Sequence, residues 1–311
     1  MMAAIYDVPA PAKLNLFLHV VGRRADGYHL LQSLFVLFDW CDTLHFERRS
    51  DGRLQRHDLG LTLPADDLSL RAARALQRAS ACEFGADLSV LKRVPWGAGL
   101  GGGSSDAAST LLALNRLWGL HWPRARLQQL ALTLGADVPF FVGGHNAMVE
   151  GIGERLTPLP RLATQRYAVV KPAQTIATEA IFGSPLLVRN TQAVIVMSLL
   201  ADATLCNKLL TGYGCNDLQP PAEAVCTEVS QVAAWLKARF GNSRMSGSGS
   251  AVFARLGSLE QSVPSGIEQA DRIRGTGDQL LATGSGEEIP AGWVGRMCQS
   301  LDHHPLVGWA D

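Results

Sequence analysis

The chain has 311 residues, 47% hydrophobic and 18% charged, with Lys plus Arg equal to Asp plus Glu at 28 each. At roughly 100–200 residues per domain this length predicts two domains, and the composition excludes a disordered chain. The even charge balance gives no footprint for nucleic acid or an anionic membrane, and no apolar run approaches the ~20 residues of a membrane span.

Residues 1–7 lack the basic-then-apolar order of a signal peptide. Residues 14–21 form an apolar run broken by Asn15 and His19, which predicts a strand; 34–38 and 42–47 predict further strands. Over 67–79, Leu68, Leu70, Ala72, Ala73 and Leu76 recur at helical spacing, with Asp66 or Asp67 placed to cap. Residues 88–94 predict a strand ending at Pro95. A glycine-rich segment follows and opens directly into a helix over 104–118, with Gly119 as terminator. Pro123 starts another helix over 123–134, and 147–156 predicts two short strands joined around Gly151 and Gly153.

The second half begins near residue 160. A buried strand is expected over 167–171, the best helix of this half over 222–240, a small-residue loop over 243–249 and a strand over 251–256; the pattern is weak over 257–286. The whole predicts an α+β chain in two halves. Six cysteines (41, 82, 206, 215, 226 and 298) form no C-x-x-C pair and no zinc spacing, which reads as free thiols in a reducing cytoplasm.

The glycine-rich segment carries the most chemistry. Glycines admit backbone angles closed to other residues and let amide N–H groups approach an anion. Feeding a helix N-terminus, such a loop suits phosphate. Gly97 to Gly102 matches G-x-G-x-x-G, but the acid that a dinucleotide site needs about 20 positions on is missing from Trp118-Gly119-Leu120-His121. A Walker A Gly-Lys-Ser/Thr is absent too. On the residues alone, a purely structural glycine loop stays open. Asp137, in Gly135-Ala136-Asp137-Val138-Pro139, reads on type and position as a turn or capping residue. Lys13 sits inside an apolar strand, where an unpaired ammonium is costly unless it reaches solvent.

Three segments resemble the GHMP kinases: Pro11-Ala12-Lys13-Leu14-Asn15-Leu16, Pro95-Trp96-Gly97-Ala98-Gly99-Leu100-Gly101-Gly102-Gly103-Ser104-Ser105-Asp106, and Arg244-Met245-Ser246-Gly247-Ser248-Gly249-Ser250-Ala251. The similarity covers most of 9–256 and returns faintly at 290–293 and 304–306. It implies a two-domain fold: an N-terminal nucleotide-binding domain over 1–160, a C-terminal α/β-sandwich domain over 161–311, and an active site in the cleft between them. It implies ATP as phosphoryl donor, with Mg2+ expected and no acidic ligand assigned to it. The loop residues Pro95, Gly97, Ala98, Gly99, Leu100, Gly101, Gly102, Gly103, Ser104 and Ser105 would then hold the ATP phosphates, and Lys92 would lie near the nucleotide. Gly247, Ser248 and Gly249 form the third glycine motif. In this family the Asp of Gly-Ala-Asp-Val-Pro is the proposed base, which makes Asp137 and Lys13 the expected catalytic pair.

Arg24-Ala25-Asp26-Gly27-Tyr28-His29 resembles the diphosphocytidyl-methylerythritol branch of that family. The branch implies Tyr28 and Phe182 stacked about a cytosine, His29 at its polar edge, Thr178 bonding the acceptor and Asn15 contacting the erythritol part. The expected substrate is a small molecule with a cytidine diphosphate group, phosphorylated in non-mevalonate isoprenoid synthesis by a cytoplasmic monomer or homodimer. The alternatives are a sister small-molecule kinase acting on homoserine, mevalonate or a sugar, and an inactive binding protein of the same fold. One departure stands out: Asp67 replaces the Asn usual in the A-D/E-N-L segment beside the expected adenine.

Overall fold

Strand β1 (Ala4–Arg23) runs antiparallel to β2 (His29–Arg49) along almost the full length of both. These are the 14–21, 34–38 and 42–47 predictions grown into two long strands. Register shifts beside Pro11 and Asn15 let prolines and polar residues sit within β1 without breaking it. The computed structural model describes residues 2–159, 162–194, 208–258 and 289–310.

The second half of β2 pairs with β4 (Gly85–Leu91), which pairs in parallel with β3 (Leu54–Asp58). Its first half pairs with β5 (Ala147–Gly151), which turns back as β6 (Arg155–Pro158). One face of this sheet is covered by α1 (Leu68–Ser80), α2 (Gly102–Leu117), α3 (Arg124–Leu132) and α4 (Val138–Gly143). Phe35, Leu37, Leu111, Leu114, Phe140 and Phe141 form the core there. Full burial of each such side chain contributes about 1.5–3 kcal/mol.

A second sheet has the order β10-β7-β9-β8, from β7 (Gln165–Lys171), β8 (Arg244–Met245), β9 (Val252–Ser258) and β10 (Val294–Gln299), all antiparallel. Tyr167, Val169 and Phe253 face the first sheet and meet Ala12, Leu14 and Leu16 of β1. Ala168, Val170, Val252 and Ala254 face the opposite way, toward Val229, Val232 and Leu236. Both faces of β1 are therefore covered, which explains its continuous apolar run. The tail at 300–310 crosses back: Ser300 bridges Phe38, and Arg124 donates to the Ala310 carbonyl (2.7 Å).

The helix expected over 222–240 is two helices, α6 (Gln219–Val225) and α7 (Thr227–Phe240), after the short α5 (Thr178–Phe182). Cys226 leaves helical angles (φ −141°, ψ 99°) and is buried with its thiol 3.3 Å from Gln174 Oε1. A tertiary contact thus overrides the periodicity. Asp67, not Asp66, caps α1, accepting from the Ser69 and Leu70 amides. Residues 259–286 of the weakly patterned stretch, and Cys206, lie outside the described residues.

Candidate active site

Gly101 ends the glycine loop with φ +72°, in the left-handed region open to glycine, and stands at the N-cap of α2 with no side chain capping it. The first-turn N–H groups are thus left to an outside acceptor. The loop carbonyls turn the other way. Those of Gly97, Ala98 and Leu100 accept from the Ser250, Ala251 and Lys13 amides, at 3.3, 3.0 and 2.9 Å. The Gly99 carbonyl accepts from Ser246 Oγ (3.3 Å). A Cβ on Gly99 would stand 2.3 Å from the Ser246 carbonyl, so the loop packs directly on the third glycine motif. Ala98 and Leu100 contribute only backbone to this surface, their side chains being buried in the inter-sheet core.

Alternation along β1 points Lys13 and Asn15 to the helical side, opposite Leu37 and Phe35 of β2. Both are buried. Lys13 Nζ donates to Asn15 Oδ1 (2.5 Å), lies 4.5 Å from the Phe35 ring centroid and 3.5 Å from Asp137 Oδ2. Burial pushes the Lys13 ammonium below the usual lysine value, against the pull of Asp137. Asp137 caps nothing with its side chain at the start of α4, although it occupies the N-cap position. Asn15 in turn donates from Nδ2 to Ser33 Oγ (2.9 Å) and from its amide to Ser246 Oγ (3.1 Å). The motif reading quoted Ser246 without a role. Ser33 carried no sequence signal, because its part depends on strand pairing.

Two pockets adjoin here. One is lined by Lys13, Asn15, Asp137, Phe182 and Ser248, the other by Leu68, Lys92, Val94, Trp96, Gly102 and Ser104. Gly99 and Gly101 line both. Trp96, a large exposed ring beside the second pocket, was not singled out from sequence. Lys92 reaches that pocket's wall, but its ammonium is held by Asp42 and by Asp106 (2.5 Å). Asp42 also accepts from the Arg93 and Val94 amides, tying β2 to the segment before the glycine loop. Burial, with Asp42 adding to it against the pull of Lys92, pushes Asp106 above the usual carboxylate value. Ser105 Oγ and Asp106 Oδ1 are buried near the start of α2 without a partner among the described residues. Asp67 is engaged by Arg56 (2.6 Å) besides capping α1.

On the acceptor side, Tyr28 is exposed on the loop between β1 and β2. The ring that stacks on Phe182 is that of His29, with centroids 5.0 Å apart and planes 27° apart. Thr178 Oγ1, at the start of α5, lies 3.0 Å from Ser248 Oγ and so links α5 to the third glycine motif.

Family models match in two places: "GHMP kinases N terminal domain" over residues 67–145 and "GHMP kinases C terminal" over 196–262. The chain is 62% identical to the 4-diphosphocytidyl-2-C-methyl-D-erythritol kinase of Methylibium petroleiphilum and 52% identical to that of Verminephrobacter eiseniae, covering 99% of both chains each time. A crystal structure of 4-(cytidine 5'-diphospho)-2C-methyl-D-erythritol kinase superposes with a TM-score of 0.70 at 34% identity, over 93% of this chain and 98% of that one. A homoserine kinase from Cytophaga hutchinsonii superposes at 0.67 with 17% identity, over 98% and 96%, a likeness of fold alone.

Proposed function

Because this chain belongs to the 4-diphosphocytidyl-2-C-methyl-D-erythritol kinase family of the GHMP kinases, we propose that it moves the γ-phosphoryl group of ATP to the 2-hydroxyl of that cytidine diphosphate alcohol. ADP leaves and the 2-phosphate is the product, a step in non-mevalonate isoprenoid precursor synthesis. The observation that carries the reading is the junction of two pockets at Gly99 and Gly101, with Lys13 and Asp137 on one side and the α2 N-terminus on the other.

Phosphoryl transfer is mostly positioning and charge stabilisation. In the proposed mechanism the loop amides and the dipole of α2 hold the nucleotide phosphates. Asp137 takes the proton of the 2-hydroxyl as its oxygen bonds the γ-phosphorus and the bond to the β-phosphate oxygen breaks. Lys13 orients the Asp137 carboxylate and stabilises charge on the attacking oxygen. Asn15 sits within the same hydrogen-bonded row and contacts the erythritol part, while Tyr28, His29 and Phe182 take the cytosine. Lys92, bound to two carboxylates, supports the loop from below.

The partnerless Ser105 Oγ and Asp106 Oδ1 are oxygens of the kind magnesium takes and follow directly on Ser104, which lines the nucleotide pocket, so their chemistry would suit a Mg2+ arriving with the nucleotide, although both side chains are buried behind that wall. When bound, that ion neutralises phosphate charge. Among the described residues no group of three acidic, His or Cys side chains could hold a metal unaided. The two sheets support domains at 1–160 and 161–311, with the tail at 300–310 returning to the first. Among the described residues no helix is long and apolar enough to cross a membrane; we place the protein in the cytoplasm.

The test is a panel of acceptors. ATP consumption with the cytidine diphosphate alcohol should far exceed that with free methylerythritol, homoserine or mevalonate. Asp137→Asn should lower turnover at least ~100-fold with nucleotide affinity nearly unchanged, as for loss of a positioned base. Equal use of homoserine would replace this reading with that of a sister kinase. Wild-type turnover in folded Asp137→Asn protein would remove Asp137 from its role.

A further inference from the structure

Arg189 lies outside every motif discussed above, yet it ties together the two rings on the acceptor side. Its Nε donates to His29 Nε2 (3.1 Å). Its Nη2 donates to the carbonyls of Phe182 (3.1 Å) and Ser184 (3.0 Å), and Nη1 to that of Leu187 (3.0 Å). One guanidinium therefore fixes the turn that carries Phe182 and the edge of the imidazole stacked on it. The fork geometry suits this, since arginine presents donors in a rigid plane and accepts nothing.

That last property has a chemical consequence for His29. An arginine N–H can only donate, so Nε2 of a neutral His29 must be the acceptor and the ring proton must sit on Nδ1. Burial, with Arg189 and Arg23 adding to it, pulls His29 below the usual histidine value, which keeps the ring neutral. Among the described residues Nδ1 has no hydrogen-bond partner, so with respect to them it is a donor open to a ligand. Cytosine and uracil differ in the polarity of N3: an unprotonated acceptor in the first, an N–H donor in the second. A fixed Nδ1–H pairs with the first and opposes the second.

We propose that Arg189 is a specificity-determining positioning residue, which sets the His29 tautomer through its Nε–H···Nε2 bond so that the ring offers a donor to the acceptor's base. This rests on the function proposed above, and it adds a residue and a cause that the motif reading does not contain. Without Arg189, Nε2 is free to carry the proton, Nδ1 becomes an acceptor, and uracil N3–H finds a partner.

Two measurements test it. The first is the ring-nitrogen correlation spectrum of 15N-histidine-labelled wild-type protein above neutral pH, with His29 assigned by comparison with His29→Gln. The expected pattern is that of the Nδ1–H tautomer; the Nε2–H pattern overturns the proposal with no substrate involved. The second is the ratio of kcat/KM for the cytidine diphosphate acceptor to that for its uridine analogue. In Arg189→Met this ratio should fall at least ~10-fold, because a mispaired polar edge is what rejects the wrong base. The KM for ATP should stay within threefold (about 3, well under the specificity change). Arg189→Lys, which keeps a cationic donor, should restore part of the ratio. An unchanged ratio in folded Arg189→Met protein overturns the proposal. Should Arg189→Met not fold, the wild-type spectrum and Arg189→Lys still decide. A wild-type protein that uses neither acceptor defeats the function reading instead, while the spectrum still reports on the tautomer.

Discussion

Replacing Lys13 by Met separates a catalytic lysine from a structural one, because the first role shows in turnover and the second in thermal stability. The side chain is only 5% exposed, and Met fills nearly the same volume. Three attractions are lost. The charged hydrogen bond to Asn15 Oδ1 is worth about 1.5–3 kcal/mol. The contact with the Phe35 ring is worth about 1 kcal/mol. At 3.5 Å and an effective dielectric near 20, the attraction to Asp137 comes to about 5 kcal/mol. With that carboxylate 32% exposed, solvent screening lowers its net value to about 1 kcal/mol. Against these stands the cost of keeping an ammonium out of water, several kcal/mol. The single Ser246 hydroxyl proton, otherwise shared with the Gly99 carbonyl, can turn to Asn15 Oδ1 at 3.4 Å, and Asp137 can be hydrated. The terms nearly cancel, so Lys13→Met should leave Tm within about 5 °C of wild type. Turnover should fall ~100–1000-fold, the scale of losing one charge-stabilising donor at a transition state. Thermal unfolding and steady-state ADP release, measured on the same preparation, check both. A fall in Tm beyond about 10 °C with activity per folded molecule retained would show Lys13 to be a structural residue.

Two further outcomes follow from the same geometry. Gly101→Val should abolish tight ATP binding, measured by calorimetry, because a Cβ there meets the Phe141 ring at 2.9 Å and Lys13 Cγ at 3.1 Å and φ is +72°; unaltered affinity would mean that the loop does not hold phosphate. Burial holds Lys13 below its ordinary value, so kcat should decline on the alkaline side before a free lysine titrates near 10.5. In that window the unfolded chain binds more protons than the folded one, so this group makes stability rise with pH. The loss of turnover should therefore come without unfolding, and a kcat flat up to the free-lysine value would refute the assignment.

Local features of this protein were legible in its sequence. The glycine loop and the helix it opens are contiguous, so residues 95–106 announce a helix N-terminus built for an anion without reference to the rest of the chain. The first and third motifs and the Gly27-Tyr28-His29 loop are equally short-range, and they carried the resemblance that the full-length relatives bear out. The unbroken apolar run of β1 also showed, although not why it is unbroken, since that takes a sheet of the other half packed on one face and helices on the other.

What only the tertiary structure decided are contacts between residues far apart in the chain. Asn15 and Ser246 are 231 positions apart and His29 and Arg189 160, and nothing in the pattern around either pair anticipates them. The break at Cys226 and the Lys92 ammonium held between Asp42 and Asp106 are of the same kind. Periodicity and capping report on bonds closed within a few residues, whereas burial of an ammonium or the tautomer of a ring depends on which groups the fold brings within about 3 Å, the reach of a hydrogen bond.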